Sequence, residues 1–317
     1  MTASIALIGG RGYTGAEFLK LLAGHPGMQL AFASSTRQSG MKLSDSCAWQ
    51  GNEEFCALTP EAVSARNAEA WILAVPNGKA VEWATAIRSS HPDAVILDLS
   101  ADYRFDKSWV YGLPERFRTQ ISNAKNISNP GCYATGIQLG LLPVLEYLEG
   151  TPVVFGVSGY SGAGRTPSDK NNPDRLRENM LPYSLTGHLH EKEASHQLGR
   201  NVRFSPHVAA FFRGISLTIS AQVDHVATES KLFNVYSEAY LDEPRVKVMK
   251  SIPELQAVRE TPDIHIGGFA VDERDPSKFT LVVTLDNLSK GAASQAMQNL
   301  NLALQLDENQ GITVGIE

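Results

Sequence analysis

Cysteine is scarce in this chain, and its spacing argues against two common structural uses. The three cysteines, Cys47, Cys56 and Cys132, are odd in number and form no Cys-x-x-Cys pair. This pattern disfavours both a disulfide framework and a structural zinc site. We therefore expect no bound metal and a reducing compartment, the cytoplasm.

Long apolar runs and an excess of positive charge are also missing. No stretch approaches the roughly 18 apolar residues that span a bilayer, and no signal-type segment is visible at the start. The net charge is −6 without a long basic block, so neither nucleic acid nor a membrane is an expected partner. The 317 residues, 43% of them hydrophobic, are enough for two domains with separate cores.

A glycine-rich turn near the start of the chain stands between a predicted strand and a predicted helix. Residues 4–8 form a short strand that is apolar except for Ser4, and 16–23 fit a helix that ends at Gly24. In dinucleotide-binding βαβ units, glycines in this setting let the backbone approach the pyrophosphate at the helix N-terminus. The predicted cofactor contacts are Gly9, Arg11, Gly12, Tyr13, Thr14 and Gly15.

The residues after the second predicted strand, 29–34, distinguish between the two nicotinamide cofactors. NAD sites place an acidic residue about 20 positions beyond the glycines, where it binds the ribose 2′-hydroxyl. This chain instead has Ser34, Ser35, Thr36 and Arg37. Hydroxyl groups and a guanidinium suit a 2′-phosphate, so Ser35 and Arg37 predict NADP(H). The alternative is that Arg37 is a solvated loop residue.

Two further near-continuous apolar runs, 70–75 and 94–99, flank a helical segment at 79–90. Runs that are apolar on both faces are typical of a parallel sheet with crossover helices. Open α/β sheets bind ligands at the carboxyl ends of their strands.

Three polar residues follow these two strands and are therefore site candidates: Asn77, Ser100 and Arg104. Arg104 fits equally well as a surface residue paired with Asp102 or Asp106.

Cys132 is the candidate nucleophile. An Asn-Pro-Gly turn at 129–131 interrupts the chain, and 134–148 reads as a helix, so the thiol stands at or just before a helix N-terminus. The positive end of the helix dipole lowers a thiol pKa and favours the reactive thiolate.

The second half of the chain has a different pattern. A strand at 153–157 leads into a second glycine-rich loop at 158–165, and 166–187 reads as an extended surface excursion. Strict alternation of apolar and polar residues over 215–223 predicts a strand with one buried face. This pattern favours an α+β domain with a mixed or antiparallel sheet. A last helical stretch, 290–305, is expected to return to the first domain.

Three histidines downstream of Cys132 are available as an acid or base: His188, His190 and His207. The His-x-His pair lacks a third ligand in register for a metal. A nicotinamide site, an activated cysteine and a histidine together suit the reduction of an activated acyl group through a thioester. The residues alone do not select one of the three histidines.

Six blocks of sequence, in order, carry a resemblance to a known family. They are Gly9 to Gly15, Asp98 to Arg104, Tyr111 to Glu115, Ser128 to Tyr133, Ser158 to Arg165, and Asp286-Asn287-Leu288 with Lys290-Gly291-Ala292-Ala293. The chain resembles the N-acetyl-gamma-glutamyl-phosphate reductases, NADPH enzymes of arginine biosynthesis that are related to aspartate-semialdehyde dehydrogenases. This implies a Rossmann-type, doubly wound NADP-binding α/β domain and an α+β catalytic domain.

The resemblance also implies residue roles. Cys132 matches the nucleophile and His188 the acid/base, although a register shift of two would select His190. Ser161, Gly162 and Asn287 join the cofactor contacts, as does Asn77. Ser158 and Asn129 are expected to bind substrate, and Arg104 and Arg213 are the candidate cations for its anionic groups.

The implied organisation is a dinucleotide-binding domain at 1–131, completed by 290–317, and a catalytic and dimerisation domain at 132–289. The expected partner is a small acyl phosphate, N-acetyl-L-glutamyl 5-phosphate, and the expected assembly is a homodimer or homotetramer. Two alternatives are the same chemistry on a carrier-bound aminoadipyl phosphate and a non-catalytic NADP-binding regulator.

Overall fold

The computed structural model describes residues 2–312, which form two compact units. One unit contains the residues up to Pro130 and those from Ala292 onward, and the other runs from Gly131 to Gly291. These divisions fall within two residues of the domain boundaries predicted from the sequence. Residues 313–317 of the predicted C-terminal segment lie outside the described residues. None of the described helices is long and apolar enough to cross a membrane.

The first unit is a doubly wound α/β fold, as predicted. Its strands are β1 (Ala3–Ile8), β2 (Met28–Ser34), β3 (Ala70–Leu73), β4 (Val95–Asp98), β5 (Val110–Tyr111) and β6 (Asn126–Ser128). Its first three helices are α1 (Tyr13–Ala23), α2 (Ala80–Ser90) and α3 (Pro114–Ile121). The strands pair in the order β2-β1-β3-β4-β6-β5, and every neighbouring pair is parallel.

Strand β1 shows why this sheet is buried on both faces. Ile5 and Leu7 belong to one apolar cluster with Phe18 of α1. The alternate residue Ile8 belongs to a second cluster with Trp83 of α2. Each large apolar side chain buried in this way contributes about 1.5–3 kcal/mol. The two clusters therefore hold helices against opposite faces of the sheet.

The second unit is built on a seven-stranded mixed sheet. Its strands are β7 (Leu148–Gly159), β8 (Met180–Pro182), β9 (Arg203–Ala209), β10 (Ile215–Val223), β11 (Val246–Met249), β12 (Ile264–Val271) and β13 (Lys278–Leu285). Its helices are α4 (Cys132–Leu141), α5 (Pro173–Leu176), α6 (Leu189–Leu198) and α7 (Glu229–Ala239). The strand order is β11-β12-β13-β10-β7-β9-β8, with parallel pairs only at β11–β12 and β7–β9 among the described strands.

Strand β10 matches the predicted strand residue for residue. Leu217 and Ile219 are fully buried, whereas Thr218 and Ser220 are exposed on the other face. The sheet therefore has one covered and one open face, as the period-2 pattern predicts.

Two predicted helices have different ends in the structure. Helix α4 stops at Leu141 rather than at 148, and a 3₁₀ segment over Leu142–Tyr147 follows. Pro143 explains this change, because proline has no N–H to continue an α-helix. The predicted helix 290–305 begins as a π-turn, Ser289–Ala293, before α8 (Ser294–Ala303). Helix α8 contributes Met297 and Leu300 to the core of the first unit.

The predicted excursion at 166–187 has structure of its own. Helix α5 buries Leu176, and β8 pairs antiparallel with β9 at the edge of the sheet. The segment is therefore anchored to the second unit at both places.

Candidate active site

Cys132 is the first residue of α4, and Gly131 is the N-cap in an extended conformation. A glycine has no side chain to cap the helix, so the partial positive charge of the helix start lies beside the thiol. Cys132 is partly exposed and is not part of a disulfide. The prediction that Cys132 stands at a helix N-terminus agrees with this geometry.

Two of the three candidate histidines share a cavity with Cys132 inside the second unit. The cavity has a volume of about 170 Å³, and its lining includes Cys132, Ser158, Gly162, Lys170, His188 and His190. His207 lies elsewhere, because its ring packs 4.6 Å from that of Phe155 and its Nδ1 lies 3.2 Å from the Ser205 carbonyl oxygen. The structure therefore separates His207 from the other two candidates.

His188 is the N-cap of α6, and this position determines which of its nitrogens holds the proton. Its Nδ1 accepts a hydrogen bond of 3.1 Å from the backbone N–H of His190. An accepting Nδ1 places the proton of the neutral ring on Nε2. Burial, followed by the positive charge of Lys170, lowers the pKa of His188 to about 4, against a smaller opposing effect of Glu191. The ring is therefore a neutral hydrogen-bond donor at pH 7.

Helix α6 is fixed by two of its own carboxylates. Glu191 accepts hydrogen bonds from the N–H of Gly187 and the N–H of Phe204, each 2.8 Å long. Glu193 is fully buried and accepts a 2.8 Å hydrogen bond from the N–H of Gly131. The helix that begins after His188 is thereby tied to the residue that precedes Cys132.

A buried network surrounds the predicted residues Arg213 and Asn287. The Arg213 Nε and a terminal nitrogen donate to Asp286 at 2.6 and 3.1 Å. Asn287 donates to Ser161 Oγ at 2.9 Å and accepts from the N–H of Gly214 at 2.7 Å. A Cβ built on Gly162 would lie 3.5 Å from Ser158 Oγ and 3.8 Å from Asn287 Nδ2. The structure thus gathers Ser158, Ser161, Gly162 and Asn287, while Asp286 already neutralises Arg213.

The cofactor residues of the first unit surround the start of α1. Gly9 has a φ of +85°, and its N–H and that of Gly10 donate to the Ser34 carbonyl. A Cβ on Gly9 would lie 2.4 Å from the Ala74 oxygen, but a Cβ on Gly12 would meet only one atom, at 3.9 Å. Internal packing therefore does not require a glycine at position 12.

The vicinity of Gly12 is accordingly open for a phosphate at the uncapped N-terminus of α1. Arg11, Gly12, Tyr13 and Thr14 are all partly exposed there. Ser35 is buried next to the end of β2, and Arg37 is exposed two residues later. These residues fit a dinucleotide.

Three predicted residues of the first unit are held by internal hydrogen bonds. Asn77 Oδ1 accepts from the N–H of Ala101 at 3.0 Å. Arg104 is buried and donates from Nε to the Asn129 carbonyl at 2.9 Å, so it is not a surface residue. Asn129 Oδ1 accepts from Asn299, and its Nδ2 donates to the Ala292 carbonyl. The side chains of Arg104 and Asn129 thus support the loops after β4 and β6.

Sequence reasoning missed several residues near Cys132. Lys170 and Tyr183 line the cavity although they lie in the excursion at 166–187. Gly291, in the π-turn, lies against Cys132, because a Cβ built there would be 2.7 Å from the Cys132 Cβ. The Lys290-Gly291-Ala292-Ala293 block was a signal for Gly291, but it carried no information about this contact. Among the described residues no group of side chains is arranged to hold a metal ion.

Family models match both parts of the chain. Residues 4–124 match the model described as semialdehyde dehydrogenase, NAD binding domain, and residues 132–287 match semialdehyde dehydrogenase, dimerisation domain. Solved structures of similar fold include aspartate semialdehyde dehydrogenase II from Vibrio cholerae, at a TM-score of 0.78 and 16% identity, covering 96% of this chain and 99% of that one. Another is the aspartate semialdehyde dehydrogenase with NADP from Candida albicans. Its TM-score is 0.75 at 15% identity, and the match covers 98% of this chain and 99% of that one.

Curated relatives are far closer in sequence. The N-acetyl-gamma-glutamyl-phosphate reductase of Stenotrophomonas maltophilia is 49% identical, over 97% of each chain. That of Xanthomonas campestris is also 49% identical, over 96% of each chain, and that of Xylella fastidiosa is 46% identical, over 97% of this chain and 94% of the relative.

The fold, the cysteine at a helix start and both family models define an oxidoreductase of the semialdehyde dehydrogenase class, with a domain for a nicotinamide cofactor. Within that class, the chain belongs to the N-acetyl-gamma-glutamyl-phosphate reductase family.

Proposed function

We propose that this enzyme reduces N-acetyl-L-glutamyl 5-phosphate to N-acetyl-L-glutamate 5-semialdehyde and phosphate with NADPH, as a step of arginine biosynthesis. The observation that carries the proposal is the position of Cys132 at the start of α4, in one cavity with His188. The names of the relatives favour this substrate over carrier-bound aminoadipyl phosphate and over a non-catalytic regulator.

Cys132 is the nucleophile of the proposed reaction. Its thiolate attacks the acyl carbon, the C–S bond forms, and the C–O bond to phosphate breaks, so that phosphate leaves with the bonding electron pair. NADPH, when bound, supplies the hydride that reduces the thioester carbon. Breakage of the C–S bond then releases the aldehyde and regenerates the Cys132 thiolate.

His188 is the proposed hydrogen-bond donor and acid. Its neutral ring holds a proton on Nε2, the nitrogen that does not cap α6. A neutral donor can stabilise negative charge on the acyl oxygen. Because it carries no charge of its own, it does not form a permanent ion pair with a carboxylate. The first backbone N–H groups of α4 add their partial positive charge at the same place.

NADP(H) is the proposed cofactor, with the pyrophosphate at the start of α1 and the 2′-phosphate at Ser35 and Arg37. The support is an exposed guanidinium at the end of β2 and no carboxylate at 34–37. Arg37→Ala should weaken NADPH binding about tenfold and NADH binding much less, whereas the exposed Lys20→Ala should change neither. Equal losses for both cofactors would contradict this assignment.

A homodimer formed through the open face of the second sheet is the proposed assembly. Val153 and Phe155 on that face are 53% and 40% exposed, and exposed apolar side chains on one face mark association sites. Phe155→Asp should shift the sedimentation coefficient towards that of a monomer. Leu241→Asp, at an equally apolar exposed position outside the sheet, should not. A cytoplasmic location is also part of the proposal, and the free cysteines support it because a reducing compartment keeps thiols unpaired.

The test of the proposed function is substrate-dependent oxidation of NADPH by the purified protein. N-acetyl-L-glutamyl phosphate should be turned over, and L-aspartyl phosphate should be a poor substrate. Cys132→Ser should lose about 10³-fold or more of the activity. NADPH binding without turnover of any acyl phosphate would support a regulator instead.

A further inference from the structure

Lys170 is a positively charged residue in the lining of the cavity that contains Cys132. It lies in a 3₁₀ turn at Asp169–Asn171, within the excursion at 166–187, and lines the cavity together with His188 and Tyr183. Its Nζ stands 4.7 Å from the centroid of the Tyr183 ring. Its charge also acts on His188, where it favours the neutral imidazole.

The carboxylates near Lys170 in sequence have other partners. Asp169 pairs with Arg175 at 3.8 Å, and Asp174 pairs with Arg177 at 3.1 Å. Glu191 accepts two backbone hydrogen bonds. Across residues 2–312 the structure forms no ion pair with Lys170. A half-buried lysine in the lining of a cavity, without a counter-ion, favours an anionic ligand there.

The two predicted cations are less suitable for that ligand. Arg213 is bound to the buried Asp286, and neither Arg213 nor Arg104 lines this cavity. The substrate of the proposed reaction carries a phosphoryl group and a carboxylate. We propose that Lys170 binds an anionic group of the substrate in the Cys132 cavity, an inference that rests on the proposed function. One role of the excursion at 166–187 is then to position Lys170 at the Cys132 cavity.

Alkylation of Cys132 tests the charge without any turnover. Iodoacetate is an anion and iodoacetamide is neutral, so an ammonium near the thiol raises the ratio of their rates at Cys132. Mass spectrometry of the Cys132 peptide separates this reaction from that of Cys47 and Cys56. In Lys170→Met the ratio should fall about tenfold, as expected for loss of one nearby charge at intermediate dielectric.

Two further variants control this experiment. Lys170→Arg keeps the charge and should keep most of the ratio. Lys192→Met removes a charge from the exposed surface of α6, outside the cavity, and should leave the ratio unchanged. Thermal unfolding of each variant identifies any loss of the native fold. An unchanged ratio in a folded Lys170→Met protein overturns the inference.

Steady-state kinetics of the reverse reaction identify which anionic group of the substrate Lys170 binds. If Lys170 binds the phosphoryl group, Lys170→Met should raise the KM for phosphate about tenfold or more and change that for the semialdehyde little. If it binds the carboxylate, the KM for the semialdehyde should rise instead. If neither KM changes, the inference is wrong. Failure of the proposed function is distinguishable, because the wild-type protein would then show no turnover while the alkylation ratio is still measurable.

Discussion

Gly291 and Cys132 are in such close contact that no side chain fits between them. A Cβ built on Gly291 would lie 2.7 Å from the Cys132 Cβ and 3.2 Å from its Cα. The π-turn that holds Gly291 is closed by a hydrogen bond from its N–H to the Asp286 carbonyl, 2.9 Å long. The position of the thiol therefore depends on the lack of a side chain at Gly291, which lies 159 positions after Cys132 in the sequence.

Gly291→Ala is therefore expected to impair the enzyme through the position of Cys132. A displacement of the reacting atom by a few tenths of an ångström to 1 Å should lower kcat about 100-fold, and overpacking should cost about 1–3 kcal/mol of unfolding free energy. Gly24→Ala is the matched control, since a Cβ there meets no atom within 4 Å. Equal kcat values for the two folded variants would show that the contact does not position the thiol.

Glu193 is expected to be a structural carboxylate for the start of α4. Glu193→Ala leaves the buried N–H of Gly131 without its acceptor and should lower the free energy of unfolding in urea by about 1–3 kcal/mol. Glu193→Gln keeps an acceptor oxygen, so its free energy of unfolding should fall less than that of Glu193→Ala. Glu238→Ala, at an exposed position of α7, should stay within about 0.5 kcal/mol of the wild type. If Glu193→Ala is equally stable, the hydrogen bond to Gly131 does not stabilise the fold.

Asparagine substitutions test which of the three histidines acts as the acid. Asparagine is a strong N-cap residue, so His188→Asn should keep the acceptor for the His190 N–H and leave stability nearly unchanged. It removes the imidazole proton and should reduce kcat about 10²–10⁴-fold. His190→Asn and His207→Asn should reduce it much less. A loss confined to His190→Asn would instead assign the acid to His190, as in the shifted register.

The pH dependence of stability should reveal the depressed pKa of His188. Its imidazole titrates near 6.5 in the unfolded chain but at about 4 in the folded protein. Between these values the unfolded chain binds more protons, so folding stability from this group is present above pH 6.5 and lost as the pH falls to 4. Wild type should lose more unfolding free energy than His188→Asn between pH 7 and 4.5 in urea titrations. Parallel pH profiles would contradict the assigned pKa.

The fold was predictable because its signals are local. The glycine turn before α1 and the apolar runs of β3 and β4 indicate a parallel sheet from neighbouring residues alone. Strand β10 was predicted to the residue because its alternation matches a sheet with one open face. Pro143 could have marked the early end of α4, since its lack of an N–H is visible in the sequence.

The contacts around Cys132 were not predictable in the same way, because they join residues that are distant along the chain. Asp286 binds Arg213 across 73 positions, and Glu193 reaches Gly131 across 62. Lys170 lies in a segment without periodicity, so nothing in the sequence indicates that it lines the cavity. The proposed nucleophile, Cys132, was recognisable from its local turn, whereas the residues that support it depend on tertiary packing.

The central claim, a thioester at Cys132, can be tested by trapping it. The protein is mixed with N-acetyl-L-glutamate 5-semialdehyde and NADP⁺ without phosphate, and its peptides are analysed by mass spectrometry. We expect one N-acetylglutamyl group on Cys132, formed together with one equivalent of NADPH and released when phosphate is added. NADPH formation without an acyl group on Cys132, or formation at an undiminished rate by Cys132→Ser, would contradict the account.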